Sequence, residues 1–285
     1  MLAAGLGGCA PVALLNATVP TGGVRVSRGI AYGDDPRQLL DVYRLEGGGS
    51  GRPVVVFFYG GSWRNGARGD YLFVGEALAR RGFVAVIADY RLYPQVEFPA
   101  FLGDCAQAVA WTAAHAREHG GDAGRVVVAG HSAGAYNAVM LGLDPAFLRG
   151  AGLARSALAG VVGIAGPYDF LPITDPDVIP VFASVQDGPA SQPITYVDGR
   201  NPPMLLLAGT ADRTVRPENT ASLARAIRAR GGRVETRFYQ GVGHIGIVIA
   251  FAPLFRGTAP VLADVSAFVE TVTTPERSAR LLRPG

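Results

Sequence analysis

Ser132 lies in Gly130-His131-Ser132-Ala133-Gly134, directly after the apolar run Val126-Val127-Val128-Ala129 and before a helical pattern. A strand that turns straight into a helix strains the residue at the turn and lifts its side chain above the sheet. The flanking glycines leave room where strand and helix converge. A serine so placed becomes a nucleophile only if a base takes its proton. Of the four histidines, His131 belongs to the turn itself, and His115 and His119 fall on an earlier helical stretch. His244 remains, in the glycine-loosened Gly241-Val242-Gly243-His244 after a strand. An acid must then fix the imidazole tautomer. Asp212, in Gly209-Thr210-Ala211-Asp212, follows a strand and precedes His244 by about one helix and one strand. Asp187 and Asp198 compete for that role, but neither closes a clear strand. The chemistry implied is acyl transfer through a covalent intermediate, and its oxyanion needs backbone donors. The Ala133 N–H at a helix start is one. Gly60 or Gly61, in Tyr59-Gly60-Gly61-Ser62-Trp63, is the other.

These residues must be carried by loops at one end of a sheet. Strand signals fall at 24–32, 39–45, 53–59, 83–89, 125–129, 158–165, 204–209 and 233–240. Helical spacing falls at 71–81, 100–119, 133–143 and 217–230, with further helices over 245–272. The alternation predicts a mostly parallel, twisted sheet of about eight strands with helices on both faces. Residues 24–285 read as one domain after an N-terminal segment, 1–23. The proline-rich stretch 167–203 has little periodicity and reads as a lid-like excursion or pocket wall. Tyr59, Trp63, His131, Tyr136, Tyr168 and Phe170 lie near the candidate loops in sequence and suggest an aromatic substrate pocket.

With the chain order Ser132, Asp212, His244 and the strand–turn–helix around Ser132, the sequence resembles the α/β-hydrolase superfamily over nearly all of its length after residue 24. More closely it resembles the carboxylesterases related to hormone-sensitive lipase and to kynurenine formamidases, whose oxyanion loops read H-G-G-G or H-G-G-x-W. Tyr59-Gly60-Gly61-Ser62-Trp63 is similar to the second form, with Tyr59 in place of the histidine that normally braces the loop. Ala88-Asp89-Tyr90-Arg91-Leu92 is also similar, and the resemblance gives Asp89 and Arg91 a bracing role. It implies an α/β-hydrolase fold, a serine esterase acting on small to medium acyl or aryl esters, and no cofactor. An arylformamidase or other amidase would use the same three residues. A non-catalytic binding protein on the same fold is the alternative of a different class, and such proteins commonly lose one member of the set.

Composition agrees. All 26 basic residues are arginine, so lysine Schiff-base chemistry, P-loop phosphate binding and serine–lysine acylases are excluded. The net charge of +3 comes without a basic run interleaved with aromatics, and nucleic acid is not an expected partner. Cys9 and Cys105 form no C-x-x-C, and His115/His119 are not H-E-x-x-H, so no metal site is expected. Leu6-Gly7-Gly8-Cys9 resembles the bacterial lipoprotein processing motif. It predicts an exported protein with a lipid anchor at Cys9; the alternative is a disordered apolar N-terminus on a cytoplasmic protein.

Overall fold

The computed structural model describes residues 15–20, 22–185 and 188–274. Cys9 and Asp187 lie outside them. Eight strands are present: β1 (Val24–Ala31), β2 (Leu39–Leu45), β3 (Arg52–Phe58), β4 (Val84–Ala88), β5 (Gly121–His131), β6 (Leu158–Ile164), β7 (Met204–Gly209) and β8 (Val234–Tyr239). They form one sheet in the order β1-β2-β4-β3-β5-β6-β7-β8. β1 pairs antiparallel with β2, and β2 with β4; every pairing from β4 to β8 is parallel. The expected mostly parallel, eight-stranded sheet is what the chain forms.

Burial explains the order. Val54 to Phe58 of β3 are at most 1% exposed, on both faces, as a continuous apolar run requires in a sheet covered on both sides. Each such side chain contributes about 1.5–3 kcal/mol on burial. β8, at one edge, exposes Glu235 and Arg237 and suits a strand with one neighbour.

The α-helices are α1 (Leu72–Arg80), α2 (Ala100–His115), α3 (Ala133–Leu143), α4 (Pro145–Gly150), α5 (Glu218–Ala229), α6 (His244–Ile249) and α7 (Val261–Thr273). α5 buries Thr220, Leu223, Ala224 and Ile227, the spacing of one helical face. In α3 every residue is buried, so the helix that follows Ser132 is a core element.

Three expectations change in detail. The helix expected over 100–119 ends at His115 and tightens into a 3-10 turn, Ala116–His119, closed by Gly120 at φ 79°. β5 therefore begins at Gly121 rather than at 125. α4 was not expected, although Asp144 caps it through the Ala146 N–H at 2.9 Å and Pro145 occupies its first position. The stretch 167–203 contains three short 3-10 segments, Ile179–Val185, Pro189–Ser191 and Pro193–Tyr196. Among the described residues no helix is long and apolar enough to cross a membrane.

Candidate active site

Ser132 sits between the end of β5 and the start of α3, with φ 55° and ψ −122°. Side chains rarely adopt this backbone, and here neighbours on both sides fix it. The Ser132 N–H donates to the Ile164 carbonyl of β6 at 2.9 Å, while its own carbonyl accepts from Ala135 and Tyr136. The turn closes so tightly that a Cβ on Gly130 would lie 2.1 Å from the Gly134 carbonyl oxygen. One on Gly134 would lie 2.1 Å from that of Phe58. Glycine is required at both by contact with backbone that cannot move aside. Ala133 is the first residue of α3, so helix geometry leaves its N–H without an intrahelical acceptor and directed at the cleft.

The structure brings Ser132, His244 and Asp212 together. The Ser132 hydroxyl is 2.9 Å from His244 Nε2, and His244 Nδ1 is 2.7 Å from Asp212 Oδ2. The Asp212 carboxylate is fully buried. Its other oxygen accepts from the Thr214 and Val215 N–H groups at 2.9 Å each, which fixes its plane. Asp198, the described competitor, is instead paired with Arg155 at 2.8 Å.

His131 lies beneath this relay. Its ring is 4.8 Å from that of His244, and its Nε2–H donates to the His244 carbonyl at 3.0 Å. Burial, then the neighbouring His244, push its pKa down to about 3. A neutral His131 thus holds the backbone of the residue that shuttles the proton. His131 is a fixed part of the cleft floor as well as part of the turn.

The loop after β3 faces Ser132. A Cβ on Gly60 would lie 2.9 Å from the Ser132 Cβ, so glycine permits this approach. Burial pushes the pKa of Tyr71, at the far end of the loop, up to about 12. Gly60 and Gly61, the two candidates on this loop, both line the cleft beside Ser132. Gly61 has φ 126°, and a Cβ there would lie 2.2 Å from the Asn65 carbonyl.

Tyr59 takes over the bracing of this loop from below. Its hydroxyl donates to Asp89 Oδ1 at 2.8 Å and accepts from Arg37 at 2.7 Å. Its ring stacks between Tyr90, at 5.0 Å, and Tyr71, at 5.6 Å. Asp89 also accepts from the Arg68 N–H at 2.7 Å and pairs with the Arg68 guanidinium. Arg91 acts further away, in a fork onto Asp104 of α2.

The expected aromatic pocket is corrected in part. Trp63 and Phe170 line a cleft at Ser132. Tyr59, Tyr136 and Tyr168 are fully buried in the core instead. Their rings fill space under the loops, and the Tyr136 hydroxyl is spent on the Ser191 carbonyl at 2.8 Å. Two clefts meet at Ser132. The smaller, of about 190 Å³, runs between Trp63, Ala133, Phe170, Ile173 and Val178. The larger, of about 340 Å³, runs between Leu15, Tyr71, Phe73, His244, Val248 and Ile249. The residues of α6 escaped the sequence reading, although their signal was the apolar Ile245-Gly246-Ile247-Val248-Ile249 immediately after the candidate base. Leu15 had no such signal. Among the described residues no group of three metal-binding side chains occurs.

Comparison with known proteins bears on this site. A family model described as BD-FAE matches residues 40–227. The probable isoprenylcysteine alpha-carbonyl methylesterase ICMEL1 of Arabidopsis thaliana is 26% identical over 266 residues, covering 86% of this chain and 56% of that protein. Esterase LipC of Mycobacterium tuberculosis is 32% identical over 223 residues, 71% of this chain and 55% of its own. The chain thus spans a little over half the length of these two relatives. The solved structure of esterase B from Lactobacillus rhamnosis, with a tributyrin phosphonate, superposes with a TM-score of 0.79 at 19% identity. It covers 96% of this chain and 94% of the other.

Proposed function

The chain belongs to the BD-FAE family and has the α/β-hydrolase fold, and from that premise we propose that it is a serine carboxylesterase acting on small-molecule esters. The observation that carries the reading is the unbroken relay from the Ser132 hydroxyl through His244 to Asp212. Ser132 Oγ attacks the ester carbonyl as its proton passes to His244 Nε2. Asp212 holds the Nδ1–H tautomer and stabilises the imidazolium. The tetrahedral oxyanion accepts from the Ala133 N–H and from that of Gly60 or Gly61, each such donor being worth about 10²–10³ in rate. His244 returns the proton to the leaving alcohol, and a water then repeats the sequence on the acyl-enzyme.

The esterase names of the relatives support an ester over a formamide, and the complete Ser–His–Asp set supports catalysis over passive binding. A fluorophosphonate probe should label Ser132, and Ser132→Ala should abolish labelling and lower kcat about 10⁶-fold. An unlabelled native protein overturns the reading. Lipid attachment at Cys9 belongs to the same proposal on the strength of Leu6-Gly7-Gly8-Cys9. The intact mass of the protein from its native host tests it, and an unmodified cysteine removes it.

A further inference from the structure

Resting on the esterase reading, we propose that the two clefts divide the substrate at Ser132, the smaller taking the acyl chain and the larger the leaving alcohol. The preferred substrates are then short-chain acyl esters of bulky apolar alcohols, with Leu15 and α6 setting the alcohol specificity.

The division follows from the path of one proton. When the tetrahedral intermediate collapses, the bond from the carbonyl carbon to the alkoxy oxygen breaks and His244 Nε2 delivers its proton to that oxygen. The leaving group must therefore lie on the His244 side of Ser132. His244 lines the larger cleft together with Val248 and Ile249 of its own helix, whereas the smaller cleft lacks it and is lined by the Ala133 end of α3. The acyl chain stays esterified to Ser132 while the alcohol departs. Emptying the larger cleft then admits the deacylating water beside the base that activates it.

The walls select the chemistry of each half. On the alcohol side, Leu15, Tyr71, Phe73, Val248 and Ile249 offer hydrocarbon, and the Asp70 carboxylate there accepts from the Ala67 N–H at 3.0 Å. Leu15 is only 8% exposed although it precedes the first strand. Asn16 holds it in place by donating to the Gly69 and Asp70 carbonyls at 3.0 and 3.2 Å, the same stretch that carries Tyr71. On the acyl side the cleft offers about 190 Å³ against about 340 Å³ on the alcohol side, which suits the shorter half of the ester. Asp175 on that wall, with no arginine among the lining residues, disfavours an acyl group bearing a carboxylate.

Two matched ester series on the full chain test the division: n-alkyl acetates against methyl alkanoates of equal carbon number. In the acetates, kcat/KM should rise about fourfold per methylene until the cleft is full. In the methyl esters it should fall beyond a short acyl chain. Leu15→Ala should lower kcat/KM for pentyl acetate about tenfold relative to methyl hexanoate, chiefly through KM, and Ile249→Trp should do so more strongly. Methyl esters of long acids preferred over alkyl acetates would overturn the division, as would variants that lower both series equally. Fluorophosphonate labelling of Ser132 in the same preparations separates the two levels. A labelled protein with the reversed preference loses only the division, whereas an unlabelled one loses the esterase reading.

Discussion

The turn around Ser132 and the loop from Tyr59 to Tyr71 face each other across the same cleft, yet side chains take a very different share in holding them. The turn is fixed by main chain: Ser132 N–H on Ile164, two amides on the Ser132 carbonyl, and glycines pressed against carbonyl oxygens. The loop has main-chain bonds of its own, Arg64 and Asn65 N–H on the Gly61 carbonyl and Tyr93 N–H on that of Trp63, and is braced besides by side chains from distant parts of the chain. Tyr59, Arg37, Asp89 and Arg68 form a hydrogen-bonded group beneath it. The Trp63 indole N–H donates to Asn137 at 2.9 Å, and the Arg64 guanidinium lies 4.8 Å above the Tyr93 ring. A site held by main chain tolerates no added carbon but is insensitive to which side chains surround it. A site held by side chains can exchange one brace for another, as tyrosine stands here for the histidine of similar loops.

Substitutions can break that contrast, and the most damaging should fall on the turn. Gly134→Ala puts a carbon 2.1 Å from the Phe58 carbonyl oxygen, which only a backbone shift can relieve. Activity should fall at least 10³-fold, because a displacement of about 1 Å at the reacting atoms costs on the order of 10² by itself and the Ala133 donor moves as well. Near-normal turnover in a folded Gly134→Ala protein would show that the turn is not rigid.

Asp89→Asn should come next. It withdraws charge from Arg68 and Arg37 at a carboxylate that is 5% exposed. The stability cost is about 3 kcal/mol, at the low end for a broken buried pair because Arg68 is partly exposed and keeps Asp41. Thermal unfolding measures it, with kcat falling together with Tm as the loop loosens. Tyr59→Phe removes one hydroxyl that both donates and accepts. It should cost about 1–3 kcal/mol in stability and less than 10²-fold in kcat, with KM little changed. A Tyr59→Phe loss equal to that of Gly134→Ala would erase the distinction between the two regions.

The smallest effect sharpens the contrast through pH. His131 titrates near 3 in the folded protein, against an ordinary value of 6.5. Below pH 6.5 the unfolded chain takes up a proton that the folded one refuses, so stability present above 6.5 is lost progressively as pH falls toward 3. At pH 5 the loss is about 2 kcal/mol. In His131→Asn the urea midpoint should change less between pH 7 and pH 5 than in the native protein, and an unchanged slope would remove His131 from the account.

The same division explains what could be read from the sequence. The turn is a local structure, and its glycines, serine and flanking strand lie within nine residues; its meaning survives without knowledge of the fold. Asp212 and His244 were legible because each follows a strand in a parallel sheet, and neighbouring parallel strands bring their following loops together. Asp89 was legible as a brace through the resemblance, but its partners Tyr59 and Arg37 were not, since they lie 30 and 52 residues away from it and nothing in their types marks them as partners. Tyr136 and Tyr168 were placed in the pocket by proximity in sequence. They are buried because α3 and the chain after β6 turn those positions inward. Leu15 was invisible for a stronger reason: a leucine ahead of the first strand acquires a role only through the Asn16 contacts to another loop.

Ser132 at φ 55° is one of four non-glycine residues with positive φ among those described. Ser62, Trp63 and Ala165, the others, also follow the ends of central strands beside the cleft. Glycine at position 132 would relieve the strain of a backbone that costs on the order of 1–3 kcal/mol for a residue with a side chain. A selection that ranked variants by melting temperature alone would therefore favour removing the nucleophile, and would stabilise this protein by discarding its chemistry.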